Sequence, residues 1–240
     1  MEDFLIDNYS LLTKAVIFLA ALVGLITLKK FRQTEIRYFI YFLVYVLFLE
    51  IIAYYPSYFL YFRKFHLIEG SIIEKNYWWY TLSWCMGSAL FFSFYFQRAI
   101  KNSLYKAILR YGRYVFVFSS LVYLIFNFEK FFSSIVYFIY LFGIMLVLVS
   151  IVLYFIELIS TERILLFYKS IQFYIGGILL IWYLSTTPLI FYDMYTDAVD
   201  WDFIILTWKI RLMANIFMYL GFASVLLLCK PESSIQIAKK

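Results

Sequence analysis

The chain is poor in charged residues. Only 15% of its 240 residues are Asp, Glu, Lys or Arg, whereas soluble domains average roughly 25%. A folded soluble surface needs polar cover, so this composition, with 65% hydrophobic residues, excludes an ordinary soluble domain. Apolar stretches of about 20 residues recur along the chain, which is the length a helix needs to cross a bilayer. We therefore predict an integral membrane protein.

Residues that build metal and cofactor sites are also scarce, with one histidine and two cysteines in the whole chain. His66 is alone in a predicted loop, where we expect a solvated side chain. Cys85 and Cys229 fall in different predicted spans at different depths, which argues against a disulfide between them. Glycine-rich phosphate loops and paired catalytic groups are missing as well. We predict no catalytic residues, no metal and no cofactor, and hence a protein that is not an enzyme.

The chain also lacks polar stretches between its apolar segments that are long enough to form a soluble domain. The longest are about 15 residues, far below the size of an independent domain, so residues 1–240 are predicted to be a single transmembrane domain. The opening residues MEDFLID are acidic, whereas a signal peptide begins with basic residues, and we expect the first helix to be retained. Every function is then expected from the bundle, its short loops or a partner.

The apolar stretches predict an all-α fold, a polytopic bundle of seven transmembrane helices. The fourth stretch is short, and an earlier start near Leu109 is the alternative. The predicted spans are 11–28, 38–61, 77–97, 113–128, 132–157, 166–191 and 203–229.

Basic residues predict the orientation, because cytoplasmic loops are enriched in Lys and Arg. Most of the 21 basic residues follow the first, third, fifth and seventh spans. Most acidic residues fall on the opposite side. We therefore predict an N-terminus outside the cell and a C-terminus in the cytoplasm. The net charge of +6 records this bias and gives no reason to expect binding of nucleic acid.

One carboxylate lies deep in a predicted span. Glu50 is roughly 12 residues from the inner end of the second span, about 18 Å along a helix. A charge near the bilayer centre costs about 2.5–3.5 kcal/mol and usually faces a partner inside the bundle. Tyr54 extends the same face, and Arg211 and Asn215, spaced i,i+4 on the seventh span, offer a cation and an amide at a compatible depth. The sequence predicts that these four residues form a polar cluster.

Three roles for this cluster remain open: a buried strut between helices, a binding cavity open to the outside, and a site coupled to protonation. Other charges have a simpler interpretation. Lys14 and Glu157 are expected to reach the nearest interface, Glu157 beside Arg163. An acidic rim is expected at the outer end of the sixth span, formed by Asp193, Asp197, Asp200 and Asp202.

Several apolar motifs resemble those of uncharacterised seven-helix inner-membrane proteins common in Bacteroidota. This resemblance implies a bundle of the same topology in a bacterial inner membrane, and it carries no activity. The motifs are YFLVYVLFLEIIAYY (41–55), NYWWYTLSW (76–84), LYFIELIS (153–160), FYIGGILL (173–180) and NIFMYLGF (215–222).

The function predicted from these observations is that of a receptor-like or accessory subunit. Its partners would be the lipid bilayer and a protein, bound in the membrane or at the basic cytoplasmic loops. The alternative is a carrier or channel for a small molecule or ion, with its polar site in the outer half of the bundle. A small-molecule ligand is compatible with both interpretations.

Overall fold

The computed structural model describes residues 8–161, 167–195 and 201–230, and its main elements there are helices. Nine are long enough to number, and a single turn at Tyr77–Trp79 and a π-helical segment at Tyr80–Met86 precede the fourth. They are α1 (Tyr9–Phe31), α2 (Ile36–Ala53), α3 (Tyr55–Tyr61), α4 (Gly87–Ala99), α5 (Ser103–Phe126), α6 (Phe128–Ser133), α7 (Tyr137–Ile159), α8 (Ile171–Tyr195) and α9 (Trp201–Leu228).

Six helical stretches in the described residues are long and apolar enough to cross a membrane. They match six of the seven predicted spans, with α2 and α3 together forming one, so the chain is a polytopic membrane protein. The remaining predicted span, 77–97, is helical in three consecutive pieces, none of which reaches spanning length alone. The count of seven and the orientation of the termini stay predictions.

The helix of the fourth predicted span begins at Ser103, earlier than residue 113 and earlier than the alternative start near Leu109. Asn102 is its N-cap, and the side-chain oxygen accepts from the backbone N–H groups of Leu104 at 2.9 Å and Tyr105 at 3.4 Å. Such a cap satisfies donors that a helix start leaves without a partner. The helix therefore runs through basic residues that hydropathy alone assigns to a loop.

The described residues form two compact units. The first contains the described residues up to 47 and from 158 onward, and the second contains residues 48–157. In the first unit the ring of Phe39 meets that of Phe222 edge to face, with centroids 4.9 Å apart. The helices α8 and α9 approach closely, because a methyl group built on Gly221 would lie 3.0 Å from the Cδ1 atom of Ile178. Small residues permit this spacing in membrane bundles.

The end of α9 is bound by a side chain of α1. The ammonium group of Lys30 donates to the carbonyl oxygens of Leu226 at 3.3 Å and Leu227 at 3.1 Å. The last carbonyls of a helix lack partners within the helix and carry partial negative charge, so a cation there is favourable.

The second unit packs α4, α5 and α7 around buried aromatic rings. Tyr95, Phe96 and Phe116 are almost completely buried. Gly143 of α7 lies so close to the π-helical segment that an added methyl group would be 3.1 Å from the carbonyl oxygen of Cys85 and 3.2 Å from the Cβ atom of Ala89. A side chain at position 143 would therefore require the neighbouring atoms to shift.

Large apolar side chains cover much of the outside of the helices. The stretch with the smallest buried share is α5, where only 17% of the spanning window is buried, and Tyr111, Phe118 and Ile125 are among its exposed residues. Such a surface is unfavourable in water and suits the hydrocarbon core of a bilayer.

Candidate functional site

Two polar pairs join α8 and α9 in the first unit. The guanidinium of Arg211 donates to the carboxylate of Asp193, and both side chains are about one-third exposed or less, at 29% and 31%. About one helical turn along α9, the Asn215 side-chain oxygen accepts from the indole N–H of the buried Trp182 at 2.9 Å. Arg211 and Asn215 thus share the face of α9 toward α8, in keeping with their i,i+4 spacing.

These pairs link the two helices with specific geometry. The aspartate, expected in an acidic rim, serves as the counter-charge of Arg211. Two other members of the expected rim, Asp197 and Asp200, lie outside the described residues, as does the side chain of Asp202. Each pair joins one side chain of α8 to one of α9, and the two pairs together fix the rotation of α8 relative to α9.

The helix α8 contains an internal proline, Pro188, which cannot donate to the carbonyl four residues earlier. The hydroxyl groups of the three residues just before it donate hydrogen bonds to backbone carbonyls of the preceding helical turn. Thr186 donates to the carbonyl of Trp182 at 2.8 Å, and Thr187 to that of Tyr183 at 2.6 Å, with Ser185 making the equivalent bond. Such back-bonding accompanies bends in membrane helices.

The NYWWY motif binds the carboxyl end of α2. The amide of Asn76 donates to the carbonyl of Ala53 at 2.8 Å, and the indole of Trp79 to that of Leu49 at 3.2 Å. Ala53 is the last residue of α2, and the carbonyls of the last turn of a helix lack donors within the helix. Glu50 is half-buried in this turn, and the exposed Tyr54 follows it with its ring 5.4 Å from that of Tyr58.

The four residues of the predicted cluster are divided between the two units. Glu50 and Tyr54 belong to the second, and Arg211 and Asn215 to the first. Within the first unit, the contacts of Arg211 and Asn215 are with α8. The predicted approach of Glu50 to these two side chains stays a prediction.

Glu157 occupies a position that sequence reasoning missed. Its carboxylate is buried, with 7% exposure, and accepts two backbone N–H bonds, from Lys101 at 2.6 Å and Asn102 at 2.9 Å. These groups lie in the turn between α4 and α5, so Glu157 of α7 fixes that turn. The side-chain oxygens of Glu157 and Asn102 thus accept hydrogen bonds from four backbone N–H groups around the start of α5.

The sequence predicted Glu157 at the inner end of its span, but it did not predict that the carboxylate is buried against this turn. Its expected neighbour Arg163 lies outside the described residues. This contact was missed because a fourth helix placed at residue 113 hides the helix start that the carboxylate binds. Asn102 followed by a helix-compatible sequence was the signal that could have revealed it.

A second polar network joins α4 and α5. The amide of Gln97 donates to the carbonyl of Lys106 at 2.6 Å, and its oxygen accepts from the guanidinium of Arg113, also at 2.6 Å. A weaker contact of 3.5 Å joins the same guanidinium to the hydroxyl of Ser93. In the described part of the chain, Arg113 thus contacts neutral acceptors without a carboxylate.

The π-helical segment Tyr80–Met86 holds a buried hydroxyl. Thr81 is fully buried, and its Oγ1 atom has no hydrogen-bond partner among the described residues. Segments of this kind are often found at functional sites, and a buried polar atom without a partner requires an explanation. Within the described ranges, no group of three or more His, Cys, Asp or Glu side chains is placed to hold a metal ion.

Comparisons with protein-family models, curated proteins and solved structures return no match to this chain.

Proposed function

We propose that the protein is a non-catalytic, receptor-like or accessory subunit of a bacterial inner membrane that acts through a partner protein. The observation that carries this proposal is the fixed turn between α4 and α5. Glu157 accepts two backbone N–H bonds from this turn, and the side chain of Lys101 is exposed at its surface.

The charge of this region suits an acidic partner. Residues 98–102 contain two basic side chains and no acidic one. Complementary charge steers association and discriminates among partners, and a surface held in one conformation loses less entropy when it binds. By the basic-residue rule, the turn faces the cytoplasm.

A photoreactive amino acid at position 101 tests this proposal. We expect a light-dependent protein adduct in native membranes, and no such adduct from position 69, an exposed residue of a different loop. Glu157→Ala should reduce the adduct at equal expression, because the turn loses its anchor. Crosslinks only to lipid, or an equal yield from both positions, would refute the partner.

The proposed orientation has its own test. Single cysteines near Asn8 and Ser234 are introduced into a variant lacking Cys85 and Cys229, and intact cells are treated with an impermeant maleimide. We expect labelling at position 8 and protection at position 234. The reverse pattern would place the basic turn outside the cell.

A carrier is the second candidate, favoured by the irregular helices. The unpartnered hydroxyl of Thr81 in a π-helical segment and the internal Pro188 of α8 are features that transport sites use to expose polar atoms inside a membrane. Flux of ions or small polar solutes into proteoliposomes would support it. Thr81→Val keeps the volume and removes the hydroxyl, so an unchanged flux would exclude a role for this atom.

A further inference from the structure

We propose that the face of α5 bearing Lys106, Arg110 and Arg113 binds the headgroup of an anionic phospholipid. These residues, named here the basic stripe, are spaced i, i+4 and i+7, so they lie on one side of the helix. The stripe covers about 10 Å of helix length. It is distinct from the turn at residues 98–102, where the partner protein is proposed to bind.

Arg113 supplies the strongest argument, because its charge has no counter-charge in the described residues. A guanidinium has five N–H donors, and here it uses two contacts, to Gln97 and Ser93. Both acceptors are neutral, so they orient the group without neutralising it. Arginine forks match phosphate oxygens, which makes a phosphate monoester or diester a fitting ligand.

Gln97 prepares the site. It accepts from Arg113 and donates to the backbone of Lys106, both at 2.6 Å, and so connects the two ends of the stripe. Arg110 lies between them and is exposed. Three cations held on one face repel one another, and a bound anion relieves this repulsion.

The same face becomes apolar beyond Arg113. Continuing at helical spacing it carries Val117, Leu121 and Leu124, of which Leu121 is 51% exposed. A charged first half and an apolar second half on one line match the two parts of a phospholipid, its headgroup and an acyl chain. A soluble phosphate has no acyl chain that could contact the apolar half of this face. Basic sites beside membrane helices on the cytoplasmic side bind such headgroups.

The test is a lipid titration of the full chain in nanodiscs, read by native mass spectrometry. The probes are phosphatidylglycerol, phosphatidylcholine and soluble glycerol phosphate. We expect phosphatidylglycerol to bind about tenfold more tightly than phosphatidylcholine, and glycerol phosphate to compete weakly. Arg110→Gln should weaken the binding of phosphatidylglycerol about fivefold. The protein should lose no stability, because this side chain is exposed.

A matched control removes the same charge elsewhere. Lys29 is exposed near the end of α1, on the same predicted side of the membrane. Lys29→Gln should therefore change the affinity for phosphatidylglycerol less than twofold. Arg113→Gln should weaken binding more than Arg110→Gln, since it removes the oriented fork. Equal effects of Lys29→Gln and Arg110→Gln, or equal binding of glycerol phosphate and the lipid, would overturn the proposal.

Discussion

Removal of the Glu157 carboxylate should destabilise the second unit. This group accepts backbone N–H bonds of 2.6 and 2.9 Å from Lys101 and Asn102. Hydrogen bonds to a charged group contribute roughly 1.5–3 kcal/mol each. The side chains of both donor residues are exposed, so water replaces part of the loss, and we expect Glu157→Ala to lower the free energy of unfolding by about 2–4 kcal/mol.

Glu157→Gln should have a smaller effect, about 1–2 kcal/mol, because the amide keeps one acceptor oxygen and loses the other. It also loses the negative charge near the amino end of α5, where that charge is favourable. The measurement is unfolding in mixed micelles of increasing SDS fraction, with steric trapping to obtain the free energy. Glu69→Ala, an exposed carboxylate in the same unit, is the control and should change it by less than about 0.5 kcal/mol.

Two outcomes would refute this account. If Glu157→Ala stays within about 0.5 kcal/mol of the wild type, the carboxylate does not hold the turn. If Glu157→Gln is as damaging as Glu157→Ala, the acceptor oxygen that the amide keeps contributes nothing, and the account based on two separate hydrogen bonds fails.

Two further predictions concern helix packing. Gly143→Ala should destabilise by about 1–3 kcal/mol in the same assay, because the new methyl group meets the backbone of the π-helical segment; Gly177→Ala, which has open space around it, should be neutral or slightly stabilising, and equal effects would contradict the close approach. If Glu50 pairs with Arg211 as the sequence predicts, Glu50→Gln should be mild and Arg211→Leu worse, with a coupling of about 0.5–3 kcal/mol in a double-mutant cycle. A coupling near zero would end that pairing.

Hydropathy was sufficient to predict most of the helices, since a stretch of about 20 apolar residues in a bilayer has few alternatives to a helix. It failed at α5. Lys106, Arg110 and Arg113 resemble a cytoplasmic loop in composition, and hydropathy does not register that Gln97 binds the last of them while Asn102 caps the helix. Besides the N-cap residue Asn102, their i, i+4, i+7 spacing was a signal for the helix in the sequence.

The candidate site was predicted in part. Helical spacing placed Arg211 and Asn215 on one face, and both contact α8. Their partners Asp193 and Trp182 could not be deduced, because spacing along one helix carries no information about which neighbouring helix faces it. The π-helical segment was also missed, since NYWWYTLSW has the composition of a regular apolar helix.

The bond between Lys30 and the end of α9 has a consequence for biosynthesis. Its donor and the carbonyl of Leu226 are separated by 196 residues of sequence. At the usual 5–20 residues per second, a ribosome needs roughly 10–40 s to synthesise that interval. During this time α1 is already in the membrane without the helix that binds it.

The second unit, residues 48–157, is continuous in sequence and contains its own partners, so it can pack as soon as α7 has been inserted. The first unit must wait for α9 to leave the translocation machinery. Until then Lys30 lacks the carbonyl acceptors that α9 supplies, and a chain that stops before α9 would lack them permanently.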